Sequence, residues 1–328
     1  MPVTTCSAVR SLARITAGVA AAGLGLLGYT LIEARSPVLR RVDAPLLAAG
    51  EEPLTVLHLS DLHLTSRTEA RVAWVRELAR LRPDVVVNTG DNLSFANGLE
   101  PLGRALEPFL GLPGAFVLGD HDYRTTLFKA PTRYLRPNPS SPYEDLDEAD
   151  VALPWGEVRD LQASDGWADL TNARGAITAG GRRIELVGVD DPHAERDVFP
   201  APALPDDDGA GEPAVLGRDG RPLRIGLLHA PYRRVLDAMV ADGVDLALAG
   251  HTHGGQLCLP GVGALVTNCD LDRGRASGLS QWPGRIGSPE AADDMYLHVS
   301  AGLGTSPYTP VRLACRPEAT LLTLLPAD

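Results

Sequence analysis

The sequence predicts an α/β domain built from βαβ units around a largely parallel sheet. Two observations predict it. From residue 54 to residue 118, short apolar runs alternate with stretches of helical periodicity, the rhythm of strands joined by crossover helices. These apolar runs also end, one after another, on Asp, Asn or His, at the edge where open α/β sheets place their ligands.

Taken in order, residues 15–32 come first, almost free of charge and rich in Ala, Gly, Leu and Val. As a helix they span roughly 27 Å, a little less than a bilayer core. A membrane anchor is the preferred reading. The rivals are a cleavable signal peptide, for which no convincing small-x-small site follows the run, and an Ala/Gly helix packed on the domain. Arg10 and Arg14 precede the run, while Arg35, Arg40 and Arg41 follow Glu33. Basic residues therefore nearly balance across it, and the extracytoplasmic side is only slightly favoured for the domain. Residues 36–53 hold Pro37, Pro45 and Pro53 without periodicity and read as a linker. The expected division is an N-terminal anchor and linker over 1–50 and one domain over 51–328.

Residues 54–59 form an apolar strand stopped by Ser60, with Asp61 and His63 just past its end. Two residues apart on extended backbone, their side chains point the same way. Val72, Val75, Leu78 and Leu81 mark a helix over 68–81. A second strand, 84–89, ends in Gly90-Asp91-Asn92. A helix over 99–110, confined by Pro101 and Pro108, leads to a third strand, 114–118, which ends in Gly119-Asp120-His121-Asp122. Residues 129–150 are rich in Pro, Ser and acids and read as a long surface excursion. Runs 174–178 and 182–189, joined through Gly180-Gly181, resemble a hairpin. Residues 200–222 read as a loop. Strand 224–228 then ends at His229, a helix follows over 232–241, and strand 245–249 ends in Gly250-His251-Thr252-His253-Gly254-Gly255. Further strand-like runs lie at 256–259, 264–267, 296–300 and 319–325.

The 328 residues carry a net charge of −12. Five Arg and two acids lie within residues 1–50, which leaves 25 basic against 40 acidic residues beyond, or −15. Such a domain repels phosphate backbones at long range, so nucleic acid is not an expected partner. Cys6, Cys258, Cys269 and Cys315 show no C-x-x-C spacing, which argues against a thiolate zinc site. No G-x-x-x-x-G-K-[ST] occurs, so a P-loop NTPase is not expected either.

Five expected strands thus end in metal-capable residues: Asp61 and His63, Asp91, Asp120, His229, and His251 with His253. Buried carboxylates need partners, so packing alone does not account for the pattern. A mixed N/O set suits Mn, Zn, Fe or similar divalent ions. There are too many ligands for one ion, and two ions bridged by a carboxylate would use them all. His58 lies inside the first strand and reads as core or as a support behind the ligands. His193 and His298 read as structural.

The ordered motifs D-x-H at Asp61/His63, G-D at Gly90-Asp91, G-D-H-D at Gly119–Asp122, the single His229 and G-H-T-H at Gly250–His253 resemble the calcineurin-like metallophosphoesterase superfamily. The N-terminal apolar run and H-T-H-G-G-Q resemble its membrane-associated bacterial branch. The resemblance implies a four-layer α/β/β/α sandwich with two mixed β-sheets and metals at the strand ends. It implies hydrolysis of a phosphoester or pyrophosphate bond by a hydroxide bridging two divalent cations. Carried over by motif, Asp61, His63 and His253 hold the first cation, Asp91 bridges, and Asp120, His229 and His251 hold the second. His121 acts on the leaving oxygen, with Asp122 as its orienter. Asp120 departs from the family pattern, which usually has Asn there. With an anchor beside the domain, the expected substrate is membrane-associated. A UDP-sugar-lipid pyrophosphatase, resembling UDP-diacylglucosamine hydrolases, is the alternative within that class. Outside it stands a non-catalytic, metal-stabilised membrane scaffold or sensor.

Overall fold

Leu54 and Val56 join one buried cluster while Leu57 and Leu59 join another. A strand of period two thus splits its apolar residues between two cores, and this split organises the whole domain. The structure is a computed structural model in which residues 3–128, 146–202, 213–285 and 294–327 are described, with side chains from residue 14 onward.

Helix α1 (Val3–Glu33) leads into strand β1 (Val38–Leu47) and then β2 (Leu54–Leu59). Helix α2 (Glu69–Glu77), tightened by a 3₁₀ turn at Leu78–Leu81, precedes β3 (Val85–Asn88). Helix α3 (Leu99–Leu106) precedes β4 (Gly114–Phe116), and one helical turn, α4 (Asp120–Tyr123), follows. After α5 (Glu148–Val151) and α6 (Trp155–Ala163) come β5 (Ala168–Asp169), β6 (Ala173–Ala179) and β7 (Arg182–Gly188). Then follow β8 (Arg224–Leu227), α7 (Arg233–Ala241) and β9 (Leu246–Ala249). The remaining strands are β10 (Cys258–Leu259), β11 (Gly263–Ala264), β12 (Gly278–Trp282), β13 (Met295–Val299) and β14 (Glu318–Pro326).

Two six-stranded mixed sheets result, in the orders β1-β14-β2-β3-β4-β5 and β12-β13-β9-β8-β7-β6. Val56, Val87, Leu322, Leu186, Ile225 and Leu248 fill the core between them. Leu57, Val86 and Phe116 face α2, α3 and α6 on the outside of the first sheet. Val187, Ala247 and Leu297 face α7 on the outside of the second. This is the α/β/β/α sandwich. Truncating one such buried Leu to Ala costs about 2–5 kcal/mol, so the strand ends sit on a stiff base. Strands β2, β3 and β4 run parallel, as do β7, β8, β9 and β13. Their C-terminal ends therefore gather at one rim.

The β6–β7 hairpin turns through Gly180 and Gly181 at φ +58° and +76°, the two left-handed positions that a two-residue turn needs. The linker expected over 36–53 is corrected. Its middle is β1, paired in parallel with β14 from Val38 opposite Glu318 onward. An edge strand bonded on one side only tolerates exposed Arg40 and Arg41, and Pro45 sits where the register shifts. Most of the excursion expected over 129–150, and residues 203–212 of the expected 200–222 loop, lie outside the described residues. Strands β5 and β12 and helix α6 were not expected. Runs 256–259 and 264–267 shrink to a hairpin of two-residue strands, β10–β11, detached from both sheets. Apart from its last turn, helix α1 is not packed on the domain: Ile15, Val19 and Leu24 are between 64% and 70% exposed. Its segment Arg14–Glu33 is long and apolar enough to cross a membrane.

Candidate metal centre

At the end of β2 the chain leaves extended geometry abruptly. Asp61 and His63 take φ +51° and +42°, and Asp91, His251 and His253 take +57°, +69° and +49°. Left-handed backbone costs a non-glycine residue about 1–3 kcal/mol and persists only where surroundings enforce it. Here the enforcement is visible. Asp61, His63 and Leu64 donate their N–H groups to Gly90, Asp91 and Asn92 carbonyls at 2.7–2.9 Å. Arg71 of α2 donates to the carbonyls of Leu62 and His63 at 2.7 and 3.1 Å. A side chain at Gly250 would collide with Ser60 and Asp61, so glycine is required where β9 passes the end of β2.

The ligand candidates converge. His63 Nε2 lies 3.3 Å from His253 Nε2 and 3.5 Å from Asp91 Oδ2. His253 Nε2 lies 3.7 Å from Asp61 Oδ1, and His229 Nε2 lies 3.3 Å from Asp91 Oδ2. Donor atoms of Asp61, His63 and His253 form one group within 4.8 Å, and those of Asp61, Asp91 and His229 form another. Asp120 and His251 border these groups without joining them. Asp120 is 8% exposed, with Arg124 Nε 3.8 Å from its Oδ1. The backbone N–H of His251 donates to Asp61, and the His251 ring stands 5.3 Å edge-on to that of His229.

Hydrogen bonding decides which ring nitrogens are free. His229 gives Nδ1–H to the Thr89 carbonyl at 2.7 Å, which leaves Nε2 fully buried without a hydrogen-bond partner. An imidazole that anchors one nitrogen on a carbonyl and aims the other into a carboxylate cluster is the arrangement of a metal-binding histidine. The residues present therefore fit a pair of divalent cations. His251 spends Nε2 on the Asn268 carbonyl at 3.2 Å and keeps Nδ1 as its lone pair.

Electrostatics agree. Burial holds His63 and His251 well below the usual imidazole range, and in each case neighbouring histidines add to the effect. His253 is lowered to about 4 by burial and by Arg312, against the pull of Asp61. All three are neutral lone-pair donors. Burial alone would raise Asp91, but His229, His121 and His63 outweigh it and hold the carboxyl well below its ordinary value. His229 is the mirror case: burial lowers it, while Asp91, Asp61 and Asp191 raise it well above normal. A cation between His229 Nε2 and Asp91 would satisfy the same carboxylate charge without a proton on the ring.

Asp122 corrects an expectation. It does not orient His121. Its oxygens accept the backbone N–H groups of Asp91, Asn92 and Gly119 at 2.8–3.0 Å, so it shapes the loop that carries Asp91. Burial and the charge of Asp91 push its carboxyl up to about 7. The His121 ring instead lies 3.3 Å from Thr126 Oγ1 and 3.4 Å from the Arg124 carbonyl, and its backbone N–H donates to Asp91 Oδ1 at 2.8 Å. Several supports escaped sequence reasoning. Gln162 of α6 accepts from Asn88, which also holds Asn92 and the Gly90 N–H. Asp191, beyond the end of β7, is fully buried and is raised to about 7 chiefly by burial. His193, read as structural, stands 4.5 Å from the His251 ring. His58 and His298 touch through their Nδ1 atoms at 3.0 Å. His58 continues through Thr89 and Ser60 to Asp61, with contacts of 2.9, 2.7 and 2.6 Å. His58, read from the sequence as core or as a support behind the ligands, is thus a support, while the parts of Thr89 and His298 in this chain of contacts carried no sequence signal.

A profile of the family described as calcineurin-like phosphoesterase matches residues 54–255, which takes in every ligand motif above. The chain is 30% identical over 282 residues to phosphodiesterase YaeI of Escherichia coli (strain K12), covering 83% of each protein. It is 28% identical over 312 residues to a transmembrane protein with metallophosphoesterase domain of Danio rerio. That match takes in 90% of this chain and 59% of the fish protein. Among solved structures, a dimetal phosphatase from Danio rerio is similar with a TM-score of 0.36 and 13% identity, over 77% of this chain and 88% of that one.

Proposed function

The chain belongs to the calcineurin-like phosphoesterase family and is a metal-dependent phosphoester hydrolase; from that premise we propose that it is tethered to a membrane by α1 and acts on a phosphoester or diphosphate presented at the membrane surface. The observation that carries the dinuclear reading is the place of Asp91. Its Oδ2 lies 3.5 Å from His63 Nε2 and 3.3 Å from His229 Nε2, within reach of one imidazole from each sheet. Asp61, His63 and His253 would hold one divalent cation, and His229, His251 and Asp120 the other, with Asp91 shared. When bound, such cations supply Lewis acidity toward phosphoryl oxygens and a nucleophile from water at neutral pH.

The chain's own residues orient and protonate. Gly90 and Gly119 let the two loops pass so closely that a side chain on either would strike its neighbours. His121 is half-buried beside Asp91 and is suited to give a proton to the leaving oxygen. A lipid-borne substrate is supported by the exposed Leu257, Leu259, Val262, Leu265 and Val266, which follow closely on His253. The lipid diphosphate remains a member of this class, to be set against simpler phosphodiesters in one substrate panel.

The test is hydrolysis of bis-p-nitrophenyl phosphate by full-length protein in detergent, before and after chelation. Turnover that needs added divalent cation, with two ions bound per chain, is expected. Turnover persisting in metal-free protein sinks the mechanism, and full metal loading without turnover on any panel member favours the scaffold. His121→Ala should keep both cations and lose on the order of 10²–10⁴-fold in rate.

A further inference from the structure

The last turn of α1 does not merely leave the domain. Glu33 is only 5% exposed, and both of its carboxylate oxygens are engaged. Ala314 donates its backbone N–H to Oε2 at 3.1 Å, and Cys315 donates to Oε1 at 2.8 Å. One turn earlier the Thr30 carbonyl, which also accepts the Ala34 N–H at the helix end, accepts the N–H of Arg312 at 3.1 Å. The helix terminus thus grips residues 312–315 at three points.

That segment carries Arg312, which is fully buried. Among the described residues no carboxylate lies within ion-pair distance of its guanidinium. A buried cation without a counter-charge is costly. Its Nη1 and Nη2 donors go instead to carbonyls around the metal centre, while Nε has no hydrogen-bond partner. Nη2 donates to Gly302 at 3.1 Å and to Gly304 at 2.6 Å, and Nη1 donates to the His253 carbonyl at 3.3 Å. Nη2 also lies 3.2 Å from His253 Nδ1, and the Cys315 thiol donates to the same His253 carbonyl at 3.2 Å. The 302–304 loop in turn donates to the carbonyls of Ser60 and Asp61 through Leu303 and Gly304. Arg312 therefore ties the left-handed turn at His253 to the turn that presents Asp61 and His63, as Arg71 braces that second turn from α2.

We infer that Glu33 and Arg312 are positioning residues for the first cation. The end of α1 holds the 312–315 segment, and Arg312 holds His253 against Asp61 and His63. Neither residue touches a cation or a substrate. The anchor and the metal centre are on this account one mechanical unit, and displacing the helix end loosens one cation while sparing the other. The inference rests on the dinuclear reading.

Full-length protein in detergent, stripped with chelator, is titrated with Mn²⁺ alone, and bound metal and thermal unfolding are both followed. Glu33→Ala and Arg312→Met are expected to weaken one of the two sites about tenfold or more and leave the other unchanged. The unfolding midpoint of the metal-free protein stays near wild type, while its rise on adding Mn²⁺ shrinks. Glu33→Gln, which keeps one acceptor oxygen, recovers part of the loss. Two wild-type affinities in Glu33→Ala overturn the inference. If Arg312→Met fails to fold, Glu33→Ala decides alone, because it leaves Arg312 in place. If wild type itself binds no Mn²⁺, the dinuclear reading fails, an outcome separate from two intact sites in the variants.

Discussion

The two sheets contribute unlike chemistry to the rim where they meet. Every carboxylate among the ligand candidates comes from the first sheet: Asp61 after β2, Asp91 after β3 and Asp120 after β4. Three of the four imidazoles come from the second: His229 after β8, and His251 and His253 after β9. The bracing crosses over. His229 is oriented by Thr89 of the first sheet, and the carboxylate of Asp61 is held by the N–H of His251 from the second. Neither half is a site by itself. The acids set charge, the imidazoles set geometry, and cations bound between them would fasten one sheet to the other.

The hardest break in that division is Asp91→Ala. It removes the group within reach of imidazoles from both sheets, so both cations and nearly all turnover should go, at least about 10³-fold by comparison with known losses of electrostatic stabilisers. His229→Ala, a second-sheet change, should cost one cation only; metal analysis of the two variants side by side separates them, and equal loss would contradict the shared role of Asp91. Removing metal should come next. Each ion present at a hundred times its dissociation constant adds about 2.7 kcal/mol, so chelation should lower the melting temperature by on the order of 10 °C. An unchanged melting curve would mean that the sheets are not fastened by metal.

A smaller effect tests the contact of His58 with His298 between the sheets. Burial lowers His298 to about 4, and it lowers His58 well below its normal value. A histidine that folding depresses adds stability in full above its unfolded value near 6.5, and that stability is lost as pH falls from there toward 4. For His298 this amounts to roughly 3 kcal/mol. Denaturant midpoints of metal-free protein at pH 7 and pH 4.5 should show the slope, and His298→Gln should flatten it; an unaltered slope would place the titration elsewhere. The smallest effect expected is Asp120→Asn. Losing one negative charge from the first sheet should weaken one cation and strengthen inhibition by inorganic phosphate, each several-fold. Identical phosphate inhibition in both proteins would show that Arg124, 3.8 Å away, already offsets that charge.

What could be read from the chain follows the same division. Asp61, His63, Asp91, His229 and His253 were legible because each ends an apolar run of recognisable length, and the structure brings these five together. Gln162, Thr89 and Arg312 were not, because each acts on a partner far away in sequence. Asp122 was misread through adjacency. Next to His121 in sequence, it turns away on the single helical turn and serves the neighbouring loop. Strand β1 was missed because an edge strand with exposed Arg40, Arg41 and Pro45 has no alternation to display, while β5 is only two residues long.

The position of β14 has a consequence for how the protein is made. Strand β14, about 270 residues after β1 in sequence, lies between β1 and β2, bonded in parallel to one and antiparallel to the other. As the chain emerges, β2, β3 and β4 can pair in turn, but β1 has no strand partner in its sheet until Glu318–Pro326 has been translated. The ribosome must therefore translate through Glu318–Pro326 before the first sheet closes, and contacts across such sequence distance form slowly. A nascent chain stalled before Glu318 should show β1 open to protease, whereas one released after Pro326 should protect it.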